Sequence, residues 1–152
     1  MEKKYKLTDE TIEVEGKALY RIEALKDFCE IKKGDKGGFI ESEDNLSHEG
    51  NAWVYDDACV YDNALVTDDA CVSDNARVYN DARLYDNSWV YDNACVYGTS
   101  CVYDDARVYG NARVYGTARV TDDACVCGTA RVCDNDWVYD HAFGVWKRSN
   151  KK

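Results

Sequence analysis

The sequence predicts an all-β solenoid, a stack of short strands joined by turns, and two observations carry that expectation. From Val54 to Val138 every sixth residue is valine, Leu84 being the one exception. Two positions before each of the first fourteen stands a small residue, Ala at twelve of the positions from 52 to 130 and Ser at 88 and 100. A helix repeats every ~3.6 residues and a continuous strand every ~2, so neither produces fifteen aliphatic residues at a period of six. Short strands separated by turns do.

Each unit reads in the same way. In Ala94-Cys95-Val96-Tyr97-Gly98-Thr99 the first four residues form a strand with alternating faces, Ala and Val inward, the variable residue and Tyr outward. The last two form a turn. At the first turn position all fifteen units carry Asp, Asn or Gly, residues that enter left-handed backbone or bond their own turn. The chain has no proline, which suits a sheet in which each N–H bonds a neighbouring coil.

The flanks are less regular. Tracing the period upstream puts Leu46 in a small-residue slot and leaves Ser42 and His48 in aliphatic slots, a degenerate first coil. Residues 1–41 read as a small β cap: short strands at Lys4–Leu7, Thr11–Val14 and Leu19–Ala24, with turns at Glu15-Gly16-Lys17 and at 33–38. A cap is needed because an open end exposes core and unpaired strand groups. Residues 42–143 form the repeat domain, five to six coils of three units. Phe143, Val145 and Trp146 break the period and are expected to fold over the far end, with residues 144–152 a C-terminal aromatic cap and charged tail.

The unit Val-Tyr-Asp-Asn-Ala-Arg resembles the hexapeptide repeat. That resemblance implies a left-handed parallel β-helix of triangular section with 18 residues per coil, and it covers residues 42–143. The N-terminal stretch, with Leu19-Tyr20-Arg21-Ile22 and Gly37-Gly38-Phe39-Ile40-Glu41, resembles small phage- and prophage-encoded members often labelled transferases. A shared fold does not fix function.

Charge and cysteine usage narrow the field. Net charge is −10. Residues 42–143 hold 19 acids against six Arg, or −13, whereas 144–152 carry +4. Such an acidic rod neutralises no phosphates, so the expected partner is a protein with a basic surface and not a nucleic acid. No apolar run reaches membrane-span length and Met1-Glu2-Lys3-Lys4 opens no signal peptide, so a cytoplasmic protein is expected. No two of the eight cysteines differ by 18 in number and no CxxC pair occurs. They read as unpaired thiols, with no metal and no cofactor.

Catalytic motifs are scarce. Hexapeptide acyltransferases resemble one another in using a catalytic His and a loop that walls the acyl-CoA site. Residues 54–138 contain no insertion, and the two histidines, His48 and His141, stand about 25 Å apart at the ordinary strand spacing. No nucleophile elbow or phosphate loop is present. A non-enzyme is expected, with a hexapeptide acyltransferase and an oligomer that sequesters a small nucleotide signal as the competing readings.

Stacking residues 18 apart yields three faces and three edges. One face carries the unbroken column Tyr61, Tyr79, Tyr97, Tyr115 beside Arg77 and Arg113, an interface composition that nominates it for a homodimer or homotrimer. One edge carries Asp68, Asp86, Asp104, Asp122 and Asp140, with Asp69, Asp105 and Asp123 beside them. Stacked like charges cost stability, and three readings of this edge stand: a by-product of repeat duplication, the docking site for the basic partner, or a row of weak divalent-cation sites. The docking site is the one nominated. The expected function is a non-catalytic, phage-type binding protein, an acidic DNA-mimic-like antagonist of a host nucleic-acid-handling or defence protein.

Overall fold

Alternation sets the inside of the molecule. The Ala, Ser, Val and Leu residues of the repeat interior are almost without exception sealed from solvent, stacked in columns down one continuous core. The computed structural model describes residues 3–139, so Asp140, His141, Phe143, Val145 and Trp146 lie outside the described residues. Fifteen two-residue strands, from β4 (Trp53–Val54) to β18 (Trp137–Val138), recur every six residues in three parallel sheets. Partners are 18 residues apart throughout, Trp53 with Cys71 and Arg119 with Trp137 marking the two ends. The result is a parallel β-solenoid with three strands per coil.

Turn chemistry explains why this period is stable. At all fourteen first turn positions from Asp56 to Asp134 the backbone has positive φ, between 57° and 71°. Asp, Asn and Gly are the residues that enter this region most easily. The turn then closes by a hydrogen bond such as Ala58 N–H to Tyr55 C=O, 3.1 Å. An aliphatic residue there would add strain to every corner.

The N-terminal segment obeys no such rule. β1 (Tyr5–Val14) and β2 (Lys17–Ala24) form an antiparallel hairpin around Glu15 and Gly16, and β1 runs through the Thr8–Glu10 irregularity as one element where two strands were expected. β3 (Lys36–Ile40) pairs antiparallel with β2 and parallel with Cys59–Val60, so it lays the first rung of the sheet that carries the Tyr column. Its glycines are close-packing sites. A Cβ on Gly38 would sit 2.6 Å from both Ala58 O and Val54 Cγ1.

The first coil departs from the expected phase. Ile40 lies opposite Val60 and Leu46 opposite Val66, offsets of 20 and not 18. Ile40 and Leu46 therefore occupy the aliphatic slots, in place of Ser42 and His48. The extra two residues fall between Leu46 and Asn51, where the 18-residue register begins. A single 3-10 turn at Glu43–Asn45 spans the preceding corner. Asn45, buried there, accepts from the N–H groups of Glu41 and Ser42 and donates to Ala64 O at 2.8 Å, replacing ladder bonds that the irregular backbone cannot make.

Candidate binding edge and aromatic face

His48, expected at an inward slot, instead clamps the N-terminal strand. Its ring stacks on Tyr5 with centroids 4.1 Å apart, Nδ1 accepts from Lys4 N–H at 3.0 Å, and Nε2 meets Glu43 Oε1 at 2.9 Å. That bond holds the Glu43 carboxyl below its ordinary range. Two neighbours complete the lock: the Tyr5 hydroxyl donates to Leu46 O at 2.7 Å, and the buried Lys4 ammonium donates to Ala52 O at 2.7 Å. Desolvation, reinforced by Lys26, lowers Lys4 to about 8.

Arg21 is a second rivet that period-based reading passes over. It pairs with Glu10 at 2.9 Å and Asp57 at 3.3 Å, donates to Gly37 O at 2.7 Å, and lies over the Phe39 ring. The period does not single out Arg21, because its partners come from three separate stretches of chain, at Glu10, at Gly37 and Phe39, and at Asp57.

The Tyr column is shorter than expected. Tyr61, assigned to the outward face, is fully buried with Val14, Leu19, Phe39 and Cys59, because the β1–β2 hairpin extends this sheet and covers its outer side. Among the described residues its hydroxyl has no hydrogen-bond partner, and its acidity is suppressed by burial. Tyr79 packs against the same cluster. The half-exposed remainder is Tyr79, Tyr97 and Tyr115, parallel rings 4.9 and 5.1 Å apart, with Arg77 and Arg113 exposed beside them. Cys59, also read as outward, is buried in the same cluster, and Trp53, outward on another sheet, is buried against Tyr5 and Phe28.

The Asp edge is brought together as the sequence arranged it, up to residue 123. Asp68, Asp69, Asp86, Asp104, Asp105, Asp122 and Asp123 line one shallow trough, interrupted by Asn87 and closed by Gly50 and Tyr139. Asp140 lies outside the described residues. The structure adds a reason for the first-position acids. Asp68 Oδ2 accepts from Asp86 N–H at 3.0 Å, Asp86 Oδ2 from Asp104 N–H at 3.2 Å, and Asp104 Oδ2 from Asp122 N–H at 3.1 Å. Each carboxylate is a rung for the next coil's left-handed turn. Asp56, Asp62, Asp74 and Asp92 make the same bond on the other two edges. The charge-assisted bond offsets the repulsion of carboxylates stacked about 4.8 Å apart.

The second turn position makes no such rung. Asp69 Oδ1 accepts from Asn51 N–H at 3.3 Å, but among the described residues nothing in the chain pairs with the carboxylates of Asp105 or Asp123. On the other two edges the second positions from 57 to 135 are Asp57, Asn63, Asn75, Asp81, Asn93, Thr99, Asn111, Thr117, Thr129 and Asn135, two acids in ten. Asp57 is held by Arg21. On the Asp68 edge, over the same span, three of the four second positions, 69, 87, 105 and 123, are acidic.

The cysteines read as thiols are all unpaired, Cys29 exposed and Cys59 buried. Burial pushes the Cys71 thiol up to about 11. Among the described residues no His, Cys, Asp or Glu group of three is arranged to hold a metal, and no helix is long and apolar enough to cross a membrane.

Comparison with known proteins bears on the repeat. No curated protein matches the chain. A family described as the YdcK beta solenoid repeat matches residues 70–86, 102–116 and 106–122. Those segments fall within the uninterrupted coils, and with the three parallel sheets they establish a repeat β-solenoid protein.

Proposed function

We propose that the protein is a non-catalytic binding solenoid whose Asp68–Asp123 edge docks against a cationic surface of a protein partner. The second turn position carries this reading. First-position acids are accounted for by the rungs they make, whereas the carboxylates of Asp105 and Asp123 meet no partner among the described residues and add charge where charge is already dense. Rows of like charge with one open side attract oppositely charged partners and speed their encounter.

The non-catalytic part rests on His48, whose two ring nitrogens are both spent on holding the N-terminal strand. The antagonist form of the proposal, a DNA-mimic-like rod that occupies a host nucleic-acid-handling or defence protein, is supported by the same edge. Its phage-borne, cytoplasmic setting is proposed from the N-terminal resemblance and the opening residues. A left-handed coil of the hexapeptide type belongs to the proposal too. So does self-association, now through Tyr79, Tyr97 and Tyr115 with Arg77 and Arg113, since the hairpin already covers Tyr61.

The test uses a fluorescent octa-arginine peptide as a generic cationic partner, with affinity followed from about 0.05 M to about 0.3 M salt, where the screening length falls below ~8 Å. Binding that weakens steeply over this range supports edge docking. Binding that is absent at low salt, or indifferent to salt, rejects it.

A further inference from the structure

We infer that the junction between the Cys29–Glu30 turn and the tryptophan-bearing sheet is a cleft for an arginine side chain of a partner protein. It is separate from the Asp68 edge and does not depend on it. Phe28 and Ile31 exchange both backbone hydrogen bonds, 3.0 and 2.8 Å, which makes Cys29 and Glu30 a two-residue tip. Cys29 holds φ 50°, a conformation that Gly or Asn would enter more easily. The tip is thus fixed, and it brings the Glu30 carboxylate to the Tyr55 hydroxyl at 3.4 Å.

The opposite wall comes from the solenoid. Trp89 Nε1 donates to Ser73 Oγ at 3.1 Å, which draws the indole back across the coil below it. The indole keeps 39% of its surface in water, the largest exposed aromatic surface of this sheet. Between tip and indole lies a cleft of about 470 Å³ whose wall includes the half-buried Cys71 thiol. That is the size range of small-ligand and side-chain sites.

Charge selects the occupant. Glu30, Asp56 and Asp74 line the cleft, and among the described residues no Lys or Arg lines it, although the Arg107 guanidinium lies over the Trp89 ring at 5.4 Å. Asp56 and Asp74 each give one oxygen to a rung, which fixes their carboxylates in place. The cleft therefore combines an apolar, aromatic lining with fixed negative charge. A guanidinium is planar, weakly hydrated and stacks on aromatic faces while bonding carboxylates. The chain uses that geometry on itself, with Arg21 over Phe39 at 4.3 Å and Arg107 over Trp89 at 5.4 Å.

The experiment titrates ¹⁵N-labelled protein with N-acetyl-arginine methylamide and follows the Trp89 indole N–H signal. The citrulline analogue, of the same shape and uncharged, is the second probe. Expected are a saturable Trp89 shift with buried Trp53 unmoved, and citrulline binding about five-fold weaker, the loss of a partly exposed ion pair. Glu30→Gln should bring the two probes' affinities closer together, and Trp89→Leu, followed at the backbone amides of the cleft residues Cys71 and Ser73, should weaken both. Asp105→Asn with Asp123→Asn should change neither. No saturation at Trp89, equal affinity for the two probes in the unaltered protein, or a loss equal to that of Trp89→Leu from the edge substitutions overturns the cleft.

Discussion

Before Gly50 and after it, the same core is built in two ways. After Gly50 each coil repeats one recipe: Ala and Val inward, a left-handed Asp, Asn or Gly at the corner, and backbone N–H groups that donate to the carbonyl 17 residues ahead. Before Gly50 almost every structural bond is made once. Lys4, Tyr5, Arg21, Asn45 and His48 each reach backbone or side-chain partners that no other coil offers. The contrast teaches where specificity is needed. Mid-stack coils are satisfied by identical neighbours above and below, but a terminal coil has one neighbour and must close its open side with individual contacts.

The sharpest break of this comparison is at the glycines of the two regions. Gly38→Val pushes a side chain against Ala58 O and Val54 Cγ1 and should lower unfolding stability by about 3 kcal/mol or more. Gly128→Ala, at φ 64° with nothing among the described residues within 4 Å of the added methyl, should cost only ~1 kcal/mol, the strain of a left-handed alanine. Chemical denaturation of the two variants checks this. Equal losses would mean that the N-terminal packing carries no special weight.

Next in size is the rung. Asp104→Ala removes the acceptor for Asp122 N–H and places Ala at φ 58°, for a combined cost of about 1–2 kcal/mol. Asp104→Asn keeps an acceptor oxygen and relieves like charge, so its melting temperature should match or exceed that of the unaltered protein. If Asn proves as costly as Ala, the carboxylate's charge and not its hydrogen bond holds the corner.

Smaller still is the pH effect of Lys4 on the N-terminal side, opposed above pH 9.0 by the buried Cys71 thiol of the solenoid, which is pushed up to about 11. Lys4 has a folded pKa of about 8 against an ordinary 10.5. The unfolded chain therefore binds this proton more tightly, and stability should rise as pH climbs from about 8 towards 10.5. Tyr5 and Tyr61, both raised by burial, act oppositely. Their contribution is complete below the unfolded value of 10.0 and is lost as pH rises above it. Urea titrations across this window should show a shallow maximum, and Lys4→Met should remove the rise while leaving the fall.

Much of the repeat was legible, because its cause is local. Val at every sixth position, Ala two before it and Asp, Asn or Gly at each first turn position state their roles without reference to distant residues. The Asp edge followed from counting by 18. What the sequence hid depends on tertiary placement. The two-residue slip near His48 was signalled only by Ile40 and Leu46, six apart but out of phase with Val54. Tyr61 looks identical to Tyr97 in its unit, and only the hairpin lying over it makes it core. The Cys29–Glu30 tip carries no Gly or Asn to announce a turn, so the cleft beside Trp89 had no signature at all.

The measurement that bears most directly on the binding edge compares equal charge removed from different places. Asp105→Asn with Asp123→Asn takes two charges from the proposed docking edge, and Asp81→Asn with Asp92→Asn takes two from the other edges. Octa-arginine affinity at low salt should fall about five-fold or more for the first pair, mainly through slower association, and hardly at all for the second. Equal losses would contradict the account, because net charge alone, and no particular edge, would then govern binding.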